Sequence, residues 1–254
     1  MTLFFPRFVE EEETLDLMVE VTKVELKEVL HNFQKEKMSG PDGSSMDFYV
    51  GLFGLIRQDI LKVIEESRVN GFIHPSFNAT FIALIPKQDA PKNLDEKRSI
   101  SLCDCIYKLI SKIISRRIKG ILSKYISQEQ FGFLEDRQIH EAIGVVQEAM
   151  HSIKTQRLKG AVLKIDLSKV YDQVSWIFLK LLLTHLGFGF FFINWIMSFI
   201  TTVSLGMLIN GAASPFFPTE RGLPQGCPPS PLIFVLVLEG LSRALSEAKN
   251  NISF

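Results

Sequence analysis

Apolar residues recur at helical spacing along most of the chain, with short apolar runs and turn clusters between them. Leu26, Val29, Leu30 and Phe33 follow Thr22-Lys23-Val24-Glu25, a capping-box pattern, and predict a helix that stops before Ser39-Gly40-Pro41-Asp42-Gly43. Leu52, Ile56, Ile60, Val63 and Ile64 predict a second helix over 47–69, closed by Gly71. Further helices are expected over 106–125, 139–153, 176–186, 190–200 and 232–249. The last has Ser230 as its N-cap and Pro231 as its first residue. Trp195, on the apolar face of its helix, reads as core. Strands are expected at 80–85, followed by a polar loop to Arg98, and at 161–165. A hairpin is expected from 203–209 and 212–217, because Asn210-Gly211 between them accepts the positive φ of a tight turn.

Two stretches carry candidate chemistry. The run 161–165, broken only by Lys164, reads as a short buried strand ending on Asp166, with a turn through Ser168 and Lys169 behind it. A carboxylate at the end of a core strand faces a cleft. Hard divalent cations are held with substrate phosphates by one or two such groups and backbone oxygen. Asp also caps turns, and on this stretch alone both readings stand. The helix over 106–125 sets Ile106, Leu109, Ile110, Ile113, Ile114 and Ile118 against a stripe of Lys108, Lys112, Arg116 and Lys119, joined by Arg117 and Lys124. Such a stripe is either a solvated face or a track for a phosphate backbone.

Composition narrows the setting. The chain has 254 residues with Lys+Arg 28 against Asp+Glu 28, so any nucleic-acid partner must be met by a local basic surface. Three cysteines, Cys103, Cys105 and Cys227, are too few for a disulfide framework or a four-ligand zinc site, which points to a reducing compartment. The N-terminus lacks the order of a secretory signal, and the most apolar windows, 187–200 and 232–238, are too short to cross a bilayer. The expectation is an intracellular chain, nuclear or cytoplasmic, with no membrane partner.

Gly40-Pro41-Asp42-Gly43, Ile85-Pro86-Lys87, Arg98-Ser99-Ile100-Ser101-Leu102, Gln130-Phe131-Gly132-Phe133, the stretch 166–172 and the stretch 222–231 occur in that order across nearly the whole chain. In this the sequence resembles the reverse transcriptase domain of LINE-type (non-LTR) retrotransposons, most closely those of plants. The resemblance implies an α+β fold, helix-rich with a small antiparallel sheet, arranged as the fingers and palm of a right-hand polymerase. It implies an N-terminal helical extension over 1–75, fingers over 76–159 and a partial palm over 160–254. Asp166 matches the first catalytic carboxylate, a ligand of Mg²⁺ or Mn²⁺, with Leu167 lending a backbone carbonyl. Tyr171 matches the steric gate beneath the incoming sugar. Lys87 and Arg98 match basic residues that grip the triphosphate, for which a guanidinium is well suited. Gln225 and Gly226 match the loop under the template and new base pair. The implied partners are an RNA template, a DNA primer and dNTPs, with the stripe from Lys108 to Lys119 as a nucleic-acid contact.

The chain also departs from the pattern. Ser99 stands for a proline, Asp136 for a glycine, Pro224 for a common basic residue and Pro229 for a leucine. No Asp-Asp pair follows Asp172 before Phe254, although the resemblance calls for one as the second part of the metal cage. Asp172 follows the steric gate and is not a ligand in the family. The expectation is a reverse transcriptase fragment that is catalytically incomplete. A non-catalytic nucleic-acid-binding remnant and an unstable pseudogene product stand as the alternatives.

Overall fold

The apolar stripe over 106–125 becomes a central helix of the molecule. The computed structural model describes residues 7–33, 38–134, 137–209 and 212–251. Its helices are α1 (Glu11–Leu17), α2 (Lys23–His31), α3 (Met46–Gly51), α4 (Phe53–Asn70), α5 (Cys105–Tyr125), α6 (Ile139–Thr155), α7 (Val170–Gln173), α8 (Trp176–Leu186), α9 (Phe190–Thr201) and α10 (Pro229–Asn251). Its strands are β1 (Ala79–Pro86), β2 (Lys97–Cys103), β3 (Ser204–Ile209), β4 (Ala212–Ala213) and β5 (Phe217–Pro218).

Helix α5 buries Tyr107, Leu109, Ile110, Ile113, Ile114, Ile118 and Leu122 completely, and α1, α2 and α10 pack along it. Helix α9 brings Phe192, Trp195, Ile196 and Phe199 into the same core. The Tyr107 ring stacks on Phe199 at 4.6 Å, and its hydroxyl donates to the Phe199 carbonyl at 2.8 Å. Trp195 is core, as its position predicts, and its indole N–H donates to Ser67 Oγ at 3.1 Å. Each ring thus buries a large apolar area while its one polar atom keeps a partner.

The sheet runs in the order β2-β1-β3-β4, with β5 also on β3. It is mixed and not wholly antiparallel: β1 pairs β2 antiparallel and β3 in parallel. Strand β2 lies where the sequence suggested the end of a loop, and its register sets Ile85 opposite Arg98 and Pro86 opposite Lys97. The hairpin forms through Leu208↔Ala213 and Ile209↔Ala212, while Asn210 and Gly211 lie outside the described residues. After Ala213 the Ser214 N–H still donates to the Met207 carbonyl at 2.8 Å, then Pro215 has no N–H to give, and ladder pairing resumes at Phe217.

Three other expectations change. The helix over 47–69 is broken at Leu52, between Gly51 and Phe53, where the backbone leaves helical values. Ser230 is not an N-cap: α10 begins at Pro229, and the Ser230 hydroxyl donates to the Pro224 carbonyl at 2.7 Å. Most consequentially, 161–165 forms no strand and is not buried. Val162, Leu163 and Ile165 are 58%, 82% and 62% exposed. Among the described residues no strand pairs with this run, so its backbone groups face water. The departure at Asp136 lies outside the described residues.

Candidate active site

The run that carries Asp166 shares one open cleft with the β1–β2 end of the sheet. Leu84, Lys97, Arg98 and Ser99 from β1 and β2, Lys87 just beyond β1, the stretch 166–172, and Gln225 line this cleft of about 910 Å³. Asp166, Leu167, Lys87, Arg98, Tyr171 and Gln225 therefore face one space, although they come from three separate parts of the chain. Asp166 reaches it from an exposed irregular segment and not from the end of a core strand.

Three latches join the walls. The Ser101 N–H donates to the Gln225 carbonyl at 2.9 Å and holds the Gly/Pro-rich loop against β2. Gly226 follows with φ +94, a backbone conformation that favours glycine, although a Cβ there would meet Ile100 only at ordinary contact distance. The second latch fixes Tyr171. Its carbonyl accepts from the Leu223 N–H at 2.8 Å, Val174 accepts from Gly222 at 2.9 Å, and the ring stacks on Phe234 at 5.1 Å. Burial raises the Tyr171 phenol above its ordinary pKa. The third latch is the ion pair of Lys169 Nζ and Asp95 at 2.7 Å, which joins the 87–96 loop to the 168–169 turn. Lys87 adds a bond from Nζ to the Asp95 carbonyl at 2.8 Å. The hydrogen bond and charge of Lys169 hold the Asp95 carboxyl below its usual range, and Asp95 raises Lys169 in return.

Lys169 and Asp95 were not anticipated from the sequence. Seventy-four positions separate them, and only the fold brings the two together. Besides that pair, the cleft carries Lys87, Lys97 and Arg98 against Asp166 and Asp172.

A second groove, about 700 Å³, shares Arg98, Tyr171 and Gln225 with the first and continues past Lys112, Ser115, Lys119, Phe133 and Gly226. The basic stripe of α5 therefore divides. Lys112 and Lys119 line the groove, with Lys112 Nζ also 5.7 Å above the Phe33 ring. Arg116 pairs with Glu28 at 2.6 Å, Arg117 with Glu25 at 2.9 Å and Lys124 with Glu13 at 2.7 Å, while Lys108 donates to the Met38 carbonyl at 3.0 Å. The acids come from α1 and α2, which is why the stripe looked unopposed within its own helix.

Arg137 holds the 126–130 turn, donating to the carbonyls of Ser127, Gln130 (2.8 Å) and Ile126 (2.8 Å). At the end of β2, Gly40 sits so close to Cys103 that a Cβ would lie 2.5 Å from its carbonyl, and the Asp42 N–H donates to Asp104 at 3.0 Å. Burial pushes the Asp104 carboxyl up to about 6, with the nearby Asp42 charge adding to the effect.

Asp166 and the Leu167 carbonyl are hard oxygen donors of the kind that bind magnesium together with phosphate oxygens. Among the described residues no three His, Cys, Asp or Glu side chains converge as a metal site, and no helix is long and apolar enough to cross a membrane.

Residues 85–254 match the family described as reverse transcriptase (RNA-dependent DNA polymerase). Over 219 residues, 86% of the chain, the sequence is 26% identical to the uncharacterized 149 kDa protein of transposon TX1 from Xenopus laevis, covering 17% of that protein. Over 177 residues, 68% of the chain, it is 24% identical to the retrovirus-related Pol polyprotein from type-1 retrotransposable element R2 of Popillia japonica, covering 24% of it. The chain thus spans less than a quarter of the length of either relative. The family match runs through both walls of the cleft and across most of the sequence: this chain belongs to the reverse transcriptase (RNA-dependent DNA polymerase) family.

Proposed function

We propose that the cleft is the nucleotidyl-transfer site of a LINE-type (non-LTR) retroelement reverse transcriptase, with fingers over 76–159, palm over 160–254 and a helical extension over 1–75. The observation that carries this reading is the convergence of Asp166, Lys87, Arg98, Tyr171 and Gln225 on one space. Phosphoryl transfer depends on positioning and charge neutralisation more than on covalent chemistry. Lys87 and Arg98 meet the triphosphate of a dNTP, and the anchored Tyr171 ring sets the floor under its sugar. Gln225 and Gly226 support the template base. The groove with Lys112 and Lys119 takes the phosphate backbone of the RNA template and DNA primer. A magnesium or manganese ion would be held by the Asp166 carboxylate and the Leu167 carbonyl with the nucleotide's own phosphates, and when bound it supplies charge neutralisation at the reacting phosphate.

Asp166 finds no second acid cluster among the described residues, and the reading therefore includes that these 254 residues alone bind primer–template without extending it. Two assays test it. Binding of a labelled RNA–DNA primer–template is expected to fall steeply with salt and to weaken in a Lys112→Ala/Lys119→Ala variant, with the salt slope reduced by about 2. No binding at low salt would overturn the reading. Primer extension is expected to be absent. Incorporation that disappears in Asp166→Asn would remove the inactivity clause, and incorporation that survives it would remove Asp166 from the site.

A further inference from the structure

Cys103 closes β2 and Cys227 lies in the loop that carries Gln225 and Gly226, and their sulfurs are 3.3 Å apart. They are 1% and 4% exposed, yet Cys227 lines the second groove, which opens to solvent. We infer that Cys103 and Cys227 are an oxidation site: a peroxide joins them in a reversible disulfide that fastens the Gln225–Gly226 loop covalently to β2. The loop is already held there by the Ser101–Gln225 hydrogen bond, and the Cys227 carbonyl accepts from the Ser230 N–H at 3.2 Å. Bond formation thus asks chiefly for side-chain rotation, drawing the sulfurs to about 2.05 Å.

The third cysteine is excluded by its own contacts. Cys105, only two positions from Cys103, donates its S–H to the Ser44 carbonyl at 3.2 Å, and burial pushes its thiol up to about 11. Cys103 behaves oppositely. The hydrogen bond between the two sulfurs lowers its pKa against the opposing effect of burial, with Thr80 and Lys108 assisting, and the same bond raises Cys227. The two thiols are thus electrostatically linked, and Cys227 is the one of the pair that lines the groove by which a peroxide arrives.

The reaction balances in two steps. One thiolate of the pair attacks a peroxide oxygen and the O–O bond breaks, leaving a sulfenic acid and a hydroxide that takes up the proton that thiol released. The partner sulfur then attacks the sulfenic sulfur, the S–O bond breaks, and water leaves with the partner's proton. Two thiols lose two electrons and one peroxide becomes two waters.

The test does not depend on polymerase activity. The full chain is treated with hydrogen peroxide, the remaining thiols are alkylated, and peptides are mapped by mass spectrometry before and after a dithiol reductant. A reducible Cys103–Cys227 cross-link is expected in the native chain and in Cys105→Ser, with Cys105 left as a thiol in the former. The cross-link closes a span of 124 positions, and the midpoint of thermal unfolding should rise by about 5–10 °C. Mapping on the unsubstituted chain keeps the result readable even if Cys103→Ser or Cys227→Ser fails to fold. The inference is overturned by a cross-link through Cys105. It is equally overturned by intact thiols at a peroxide dose that oxidises the denatured chain, by Cys103 sulfinic acid without a cross-link, or by a cross-link that leaves the midpoint unchanged.

Discussion

Helices α5 and α9 on one side and the run 156–169 on the other all carry large apolar side chains, and the fold treats them in opposite ways. Trp195 and Leu109 are sealed in the core, while Leu163 and Ile165 stand in water a short distance from the cleft. A helix satisfies its own backbone and needs neighbours only for one face. A strand needs another strand for every second backbone group, and 161–165 has none among the described residues. Helix α6 belongs with the exposed group: none of its described side chains is buried, and Ile139, Ile143, Val146 and Met150 form an uncovered stripe. The lesson is that Asp166 depends for its position on the latches at Asp95–Lys169 and Tyr171–Leu223, and not on strand pairing.

The largest test of this contrast is a pair of truncations. Trp195→Ala should cost about 3–5 kcal/mol in denaturant unfolding, because it opens a cavity and leaves the Ser67 hydroxyl without its indole donor. Leu163→Ala should stay within about 0.5 kcal/mol, as for other exposed positions. Equal losses would show that the run is buried in solution. Next in size is pH dependence at Asp104. Its folded-state pKa, about 6, lies above the unfolded value, so the folded chain binds the extra proton between them. Stability should then decline as pH rises from about 4 to about 6, by roughly 3 kcal/mol from this group. Asp104→Asn should flatten that segment of the unfolding-versus-pH curve while leaving an acceptor for Asp42.

Hydrogen exchange sharpens the same comparison. Amides at 160–167 should exchange at nearly unprotected rates, and those of α5 only through global opening. Slow exchange in the run would point to pairing that the fold lacks. The smallest effect belongs to Lys169→Ala. The pair with Asp95 is exposed, so global stability should hardly move, but the Asp95 carboxyl should titrate higher by NMR than in the unsubstituted chain.

Much of the fold was legible. Ser175, whose hydroxyl accepts from Phe178 N–H, and Gly187 at φ +97 mark both ends of α8, and each is a local signal. Thr22 does the same for α2. Strand β2 was less visible as a strand, since Arg98, Ser99 and Ser101 break its apolar pattern and the ladder to β1 defines it. At the site, the ordered motifs brought out Asp166, Arg98, Tyr171 and Gln225 because a resemblance reports which stretches matter together. They could not report Lys169 and Asp95, or the pairing of Arg116 with Glu28, since such contacts follow from which helices pack and at what height.

In the proposed site Asp166 and Arg98 serve one nucleotide, which dNTP titration of the full chain with and without Mg²⁺ tests. The account predicts Mg²⁺-dependent binding, about 10- to 100-fold weaker in Arg98→Ala from the loss of a charge-assisted contact, and no longer Mg²⁺-dependent in Asp166→Asn. Equal, metal-independent affinity in all three proteins would contradict it.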